Sequence, residues 1–230
     1  MRKYFVLSAV ASAALGAATM LAQAQQATNP QQPTSFFVTS SKQSGNLGGL
    51  AGADAICQRL AAAAGAGNRT WRAYLSTQGT PTQPAVNARD RIGNGPWYNS
   101  KGVMIAASLA DLHGDNQRDS NLLFRDTALT EKGEMVNGRV RPAGTNNEHD
   151  MLTGSDSHGR AFPPGMSSQG NDRTCNNWTS DNAGAAMIGH HDRQSAWNTS
   201  WNSSHTTQGC SLAAFIETGG GGRFYCFAAN

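Results

Sequence analysis

Apolar positions change their period twice between residues 36 and 76. Phe36-Phe37-Val38-Thr39 is a compact run of β-favouring residues that ends in a polar Ser/Lys/Gln stretch, which predicts a strand. Leu50, Ala53, Ile56, Cys57, Leu60, Ala61 and Ala64 then recur at helical spacing, and Gly65 supplies a stop signal, which predicts a helix over residues 50–64. Cys57 falls on the apolar stripe, so its sulfur is expected to point inward. From Trp71 to Ser76 the period drops to two, with Trp71, Ala73 and Leu75 on one face and Arg72, Tyr74 and Ser76 on the other.

Beyond residue 76 the pattern weakens. Residues 86–92 fit a short helix, residues 102–109 fit a strand or a helix, and residues 128–140 fit a turn or short hairpin near Lys132-Gly133 and Asn137-Gly138. Residues 154–208 are polar and poor in aliphatic side chains, yet they hold Trp178, Trp197 and Trp201. A long irregular stretch of this kind points to a functional loop region. Trp178, beside Cys175, is expected in the core; Trp197 and Trp201 lie in polar surroundings and are expected to be exposed. The chain closes with two expected strands, residues 212–218 and 223–228, joined by Gly219 to Gly222 as a hairpin loop.

The N-terminus reads as an export signal. Arg2 and Lys3 precede an apolar stretch from Tyr4 to Leu21, and Ala22-Gln23-Ala24 is an A-x-A cleavage site. Residues 1–24 are therefore expected to be removed, residues 25–34 to form a disordered Gln/Pro/Thr-rich tail, and residues 35–230 to form one domain. Losing Arg2 and Lys3 lowers the formal charge from +3 to +1. A chain this close to neutrality is not expected to bind nucleic acid or membranes generally, and no second apolar run approaches membrane-spanning length.

Export bears on the four cysteines, Cys57, Cys175, Cys210 and Cys226, which an oxidising compartment converts to bridges. Four cysteines allow three connectivities. No C-x-x-C pair indicates a zinc ribbon or redox site. His190-His191-Asp192 is the densest group of metal-ligand types, but adjacent histidines share an ion only where the backbone bends sharply, so a solvated polar loop is expected. His149-Asp150 and His158 near Asp156 are further candidates whose spacing requires no site. Asp111, Asp115 and Asp119 recur every four residues without the ligand pattern of an EF-hand. Calcium thus has no recognisable motif, no cofactor is expected, and metal ligands are left unassigned. No G-x-S-x-G elbow or phosphate loop appears.

Several stretches carry a resemblance. Gly52-Ala53-Asp54-Ala55-Ile56-Cys57 runs on to Thr70-Trp71-Arg72-Ala73-Tyr74-Leu75-Ser76. Later come Gly154-Ser155-Asp156-Ser157-His158-Gly159-Arg160, Cys175-Asn176-Asn177-Trp178, Cys210, and Phe224-Tyr225-Cys226. In order and context these resemble the endostatin-like branch of the C-type-lectin-like fold, and bacterial secreted lectin-like proteins. The resemblance covers residues 36–230 and is weakest over 77–151. It implies an α+β domain with a mixed sheet, few helices and long loops, and the nested pairing Cys57–Cys226 with Cys175–Cys210. Endostatin's zinc uses N-terminal histidines, which Gln25-Gln26-Ala27 lacks, so that zinc does not carry over. The E-P-N, Q-P-D and W-N-D signatures of calcium-dependent lectins are also missing.

The expected function is non-catalytic binding outside the cytoplasm, periplasmic or secreted, with a glycan or glycoconjugate as ligand. An adhesive or structural protein binding host or matrix proteins is the alternative. Formylglycine-generating chemistry, found on a related fold, needs cysteines that bridges would occupy. The ligand site is expected in the long-loop region, at Trp197 and Trp201, with Arg160 and His191 beside them, because aromatic faces and planar hydrogen-bonding groups suit sugars.

Overall fold

The computed structural model describes residues 33–163 and 172–229, so the expected signal and most of the expected tail lie outside the described residues. The longest strand, β8 (Gly220–Ala228), organises the sheet. On one edge it pairs antiparallel with β1 (Phe36–Val38), placing Phe37 opposite Cys226. Its other edge is shared between β5 (Asp150–Leu152), which runs parallel to it, and β2 (Trp71–Ala73), which is antiparallel. The sheet continues from β5 through β6 (Met187–His190) to β7 (His205–Thr206), and β3 (Trp97–Tyr98) and β4 (Met104–Ala106) form a separate ribbon. The fold is thus α+β, with a mixed sheet and few helices.

Both faces of β8 are covered, which explains its near-continuous apolar sequence. Phe224, Cys226 and Ala228 face a core shared with Phe37, Trp71, Leu152 and Ile188 and with the apolar stripe of α1 (Gly49–Ala63). Tyr225 and Phe227 face a second core with Phe36, Tyr74, Trp97 and Met151. Asp54, on the buried side of α1, accepts from Ala73 N at 2.9 Å and pairs with Arg72 at 2.8 Å and Arg91 at 2.7 Å. That carboxylate ties α1 to β2 and to the 3-10 turn Ala88–Arg91, at the place where a short helix was expected.

Cys57 is bridged to Cys226 and Cys175 to Cys210, with Cα separations of 5.6 and 5.7 Å. The first bridge joins α1 to β8. The second holds α3 (Cys175–Trp178), a left-handed turn in which four successive non-glycine residues have φ between 49° and 66°. Such a turn costs roughly 1–2 kcal/mol per residue, so its neighbours must fix it. Trp178, fully buried as expected, donates from Nε1 to Ser76 O at 2.8 Å. The Asn177 amide accepts from Gln78 N at 2.8 Å and donates to Gln78 O at 3.1 Å.

The C-terminal segment does not form the expected pair of strands. Residues 212–218 form a helix, α4 (Leu212–Thr218), not a strand, and the glycines belong to its cap and to β8 rather than to a hairpin loop. Ser211 caps the helix by accepting from Ala214 N, and Gly219 ends it at φ 118°. Gly222 has φ +63°, and a Cβ there would sit 1.8 Å from Gln43 O. These glycines let a buried strand pass close to other backbone. The polar region also contains β6, which the sequence pattern did not suggest. In the segment expected to turn, Gly133 N donates to Thr130 O at 2.9 Å.

Removing the Cys57–Cys226 bridge, which closes 169 residues, removes up to about 5 kcal/mol of chain-entropy stabilisation, against about 4 kcal/mol for the 35-residue Cys175–Cys210 closure. Urea unfolding of the two double-alanine variants is expected to show the larger loss for the first. Gly222→Ala is expected to be severely destabilising by the same measurement.

Candidate functional site

A cleft of about 600 Å³ opens beside the second core. One wall comes from α2 (Leu109–His113) and the residues after it, including Arg118, Asp119 and Asn121; the other comes from Ser157, His158 and residues 197–203. Ser108 caps α2 by accepting from Asp111 N, and Gly114 ends it in the left-handed region, so the chain turns into the wall directly after His113.

The floor is a closed hydrogen-bond network. His113 Nδ1 donates to Leu109 O at 2.9 Å, which leaves Nε2 to accept from the Tyr74 hydroxyl at 2.8 Å. Asn202 Nδ2 donates to the same hydroxyl at 3.0 Å. Gly159, at φ +73°, lies so close that a Cβ would be 2.4 Å from His113 Nε2. Burial pushes His113 down to about 4 and raises the Tyr74 hydroxyl well above its ordinary range, so both are neutral at pH 7. At the rim, Arg89 hydrogen-bonds Asp115 and holds its carboxyl down at about 2, and His158 lies 3.2 Å from the same group.

The predicted ligand contacts separate. Trp197 lines the cleft and is 96% exposed. Trp201 also lines it but is only 5% exposed, which corrects the expectation of a free indole. Its ring packs on Tyr74 at 4.9 Å and Tyr225 at 5.4 Å, and its carbonyl accepts from the Tyr225 hydroxyl at 2.9 Å. The reason is register: the loop returning to β7 crosses the Tyr74–Tyr225 face. Arg160 is exposed but outside the cleft lining. His191 is fully buried and so cannot meet a large ligand; burial pushes it down to about 4, and its Nε2 is 3.4 Å from Asn137 O.

The candidate metal residues are also redistributed. Asp111 accepts from Ala107 N at 2.7 Å, Asp115 pairs with Arg89 at 2.7 Å and Asp119 with Arg193 at 2.8 Å, so the acidic triplet does not converge. Asp156 is occupied by the backbone N–H groups of His158 and Arg160. His190, His191 and Asp192 are buried rather than a solvated loop. The backbone does bend there, and His190 gathers with His149 and Asp150, their donor atoms within 4.8 Å of one another; His205 lies alongside, 3.1 Å from His190 Nε2 and 3.8 Å from Asp150. His205 carried no signal in the sequence, since the β6–β7 pairing that brings it to His190 was not foreseen. Beside this group, Glu148 is pushed up by burial but held lower by Lys42 and Arg223, a net downward shift. Asp192 is likewise pushed up by burial, and is held well below the usual carboxylate range by His149 and the N–H groups of Arg139 and Gln194.

No protein-family model and no curated protein matches the chain.

The depressed His113 carries a pH signature. Between about 4 and the ordinary 6.5 the unfolded chain binds the proton and the folded one does not, so stability rises with pH. Its contribution is complete above about 6.5 and is lost as pH falls towards 4. Nuclear magnetic resonance is expected to place the His113 midpoint near 4, and His113→Gln is expected to flatten the fall in denaturant stability over that window.

Proposed function

We propose that the chain is an exported, non-catalytic binding protein of the endostatin-like branch of the C-type-lectin-like fold, and that it recognises glycans in the cleft around Trp197. The observation that carries this reading is an indole left 96% exposed at the mouth of a polar cleft. A fully solvated tryptophan offers an apolar face on which the C–H face of a sugar ring can stack. Arg118, Asp119, Asn198 and His158 line the same cleft and supply the hydrogen-bonding groups that sugar hydroxyls need.

The two disulfides support an oxidising destination. No helix among the described residues is long and apolar enough to cross a membrane. All four cysteines are bridged, which supports binding over thiol-dependent chemistry. The neutral His113 and Tyr74 satisfy one another beneath the cleft, so the floor offers no free base or nucleophile from this pair.

Glycan-array binding of the disulfide-intact protein tests the reading. Trp197→Ala is expected to remove the signal while leaving the thermal transition unchanged, because the side chain packs on nothing in the core. An array with no binding by the unsubstituted protein, or with equal binding by Trp197→Ala, contradicts it.

A further inference from the structure

At the end of the sheet beyond β5, β6 and β7, three histidines crowd around one buried carboxylate. His149 Nδ1 lies 3.1 Å from Asp192 Oδ1, and a carboxylate can only accept, so this nitrogen carries the proton. His205 Nδ1 lies 3.2 Å from Thr206 O, a carbonyl, with the same consequence. His190 Nδ1 lies 3.2 Å from Ser204 Oγ, whose own hydrogen goes to Asn198 O at 2.9 Å, so the histidine must donate here too. In the neutral form of each imidazole, Nε2 is therefore the nitrogen left with a lone pair.

These nitrogens gather around Asp150. Its Oδ1 is 3.1 Å from His149 Nε2, 3.4 Å from His190 Nε2 and 3.8 Å from His205 Nε2. His190 Nε2 and His205 Nε2 are 3.1 Å apart. The Asp150 side chain is 2% exposed, and neither of its carboxylate oxygens accepts a hydrogen bond. A buried carboxylate among lone pairs is uncompensated as it stands.

We propose that His149, Asp150, His190 and His205 form a binding site for a divalent first-row transition-metal ion, with zinc as the best fit. An ion about 2.0–2.1 Å from each atom of a tetrahedral set requires donor separations of about 3.3 Å. His149, Asp150 and His190 offer one donor atom each within 4.8 Å of one another, and closing the set would take a turn of the stacked His149 and His190 rings and a shift of the partly exposed His205, already 3.1 Å from His190 Nε2. Three imidazoles and one carboxylate select zinc and its neighbours over calcium or magnesium, which prefer all-oxygen shells. Asp192, Thr206 O and Ser204 supply the outer partners that fix the rings.

Four protein ligands make this a closed, structural type of site. Its place in the chain gives it a task. His190 ends β6, His205 begins β7, and those strands pair only through Met187–Thr206 and Ile188–His205. The ion would staple the base of loop 191–204, the loop that carries Trp197 to the cleft. The site does not depend on what the cleft binds.

Zinc titration by calorimetry of tag-free, chelator-stripped protein tests the proposal. One zinc per chain is expected, with a raised Tm, and cobalt(II) in its place is expected to show tetrahedral visible bands. Asp150→Asn and His205→Ala should each weaken zinc binding by at least about 100-fold, beyond the 10–100-fold typical of losing an outer partner. His205 is 42% exposed at its side chain, so His205→Ala keeps the test decisive if Asp150→Asn fails to fold. Absence of zinc binding by the unsubstituted protein, or undiminished binding by folded His205→Ala, overturns the site. Neither result bears on glycan binding, which the Trp197 experiment reads separately.

Discussion

One strand buried on both faces and paired along both edges holds this domain together. β8 has β1 on one side and β5 and β2 on the other, and its alternating side chains fill two cores. Cys226, in the C-terminal half of the strand, is opposite Phe37 and Ala73 at once and is bonded to Cys57 on α1. Displacing β8 would therefore open both cores and uncouple the main helix. Its glycine-rich start is part of the same constraint. Gly220 passes so near β5 that a Cβ would lie 3.0 Å from Asp150 Cβ, and Gly221 would meet Glu148 at 3.3 Å.

That close approach sets the position of the proposed ion site. β8 fixes β5, β5 places Asp150 opposite His190 on β6, and β6 pairs with β7 to bring in His205. The ligands thus come from three neighbouring strands and the residue before one of them, a rigid base for precise geometry. The loop between β6 and β7 then leaves this base and returns over Tyr74 and Tyr225, burying Trp201 and leaving Trp197 in solvent. Anchor and cleft wall belong to one segment.

The parts of the fold legible in the sequence were those with local periodicity. The stripe through Ala53, Cys57 and Leu60 marked α1, and the alternation from Trp71 marked β2, because each element buries one face against a large core. The same reasoning failed at residues 212–222. Leu212, Phe215 and Ile216 follow helical spacing, but the segment is short and its cap is a serine among many. Four glycines read as a loop because nothing local reveals the backbone that crowds them. The histidines show the limit most clearly. His190-His191-Asp192 was recognised as unusual, yet alternate residues face opposite ways. His190 meets His149 and Asp150 across the sheet, whereas His191 is buried near Asn137. Only the register of three strands, set by contacts distant in sequence, brings His205 to them. Trp201 was misplaced for a similar reason: polar neighbours in sequence are not its neighbours in space.

The central claim is that a metal ion compensates the buried carboxylate of Asp150. Anomalous X-ray diffraction from zinc-grown crystals, recorded on both sides of the zinc absorption edge, reads this directly. The account predicts one strong edge-dependent peak bonded to Nε2 of His149, His190 and His205 and to a carboxylate oxygen of Asp150. No peak at that position, with Asp150 instead accepting hydrogen bonds from the histidine rings, would contradict it.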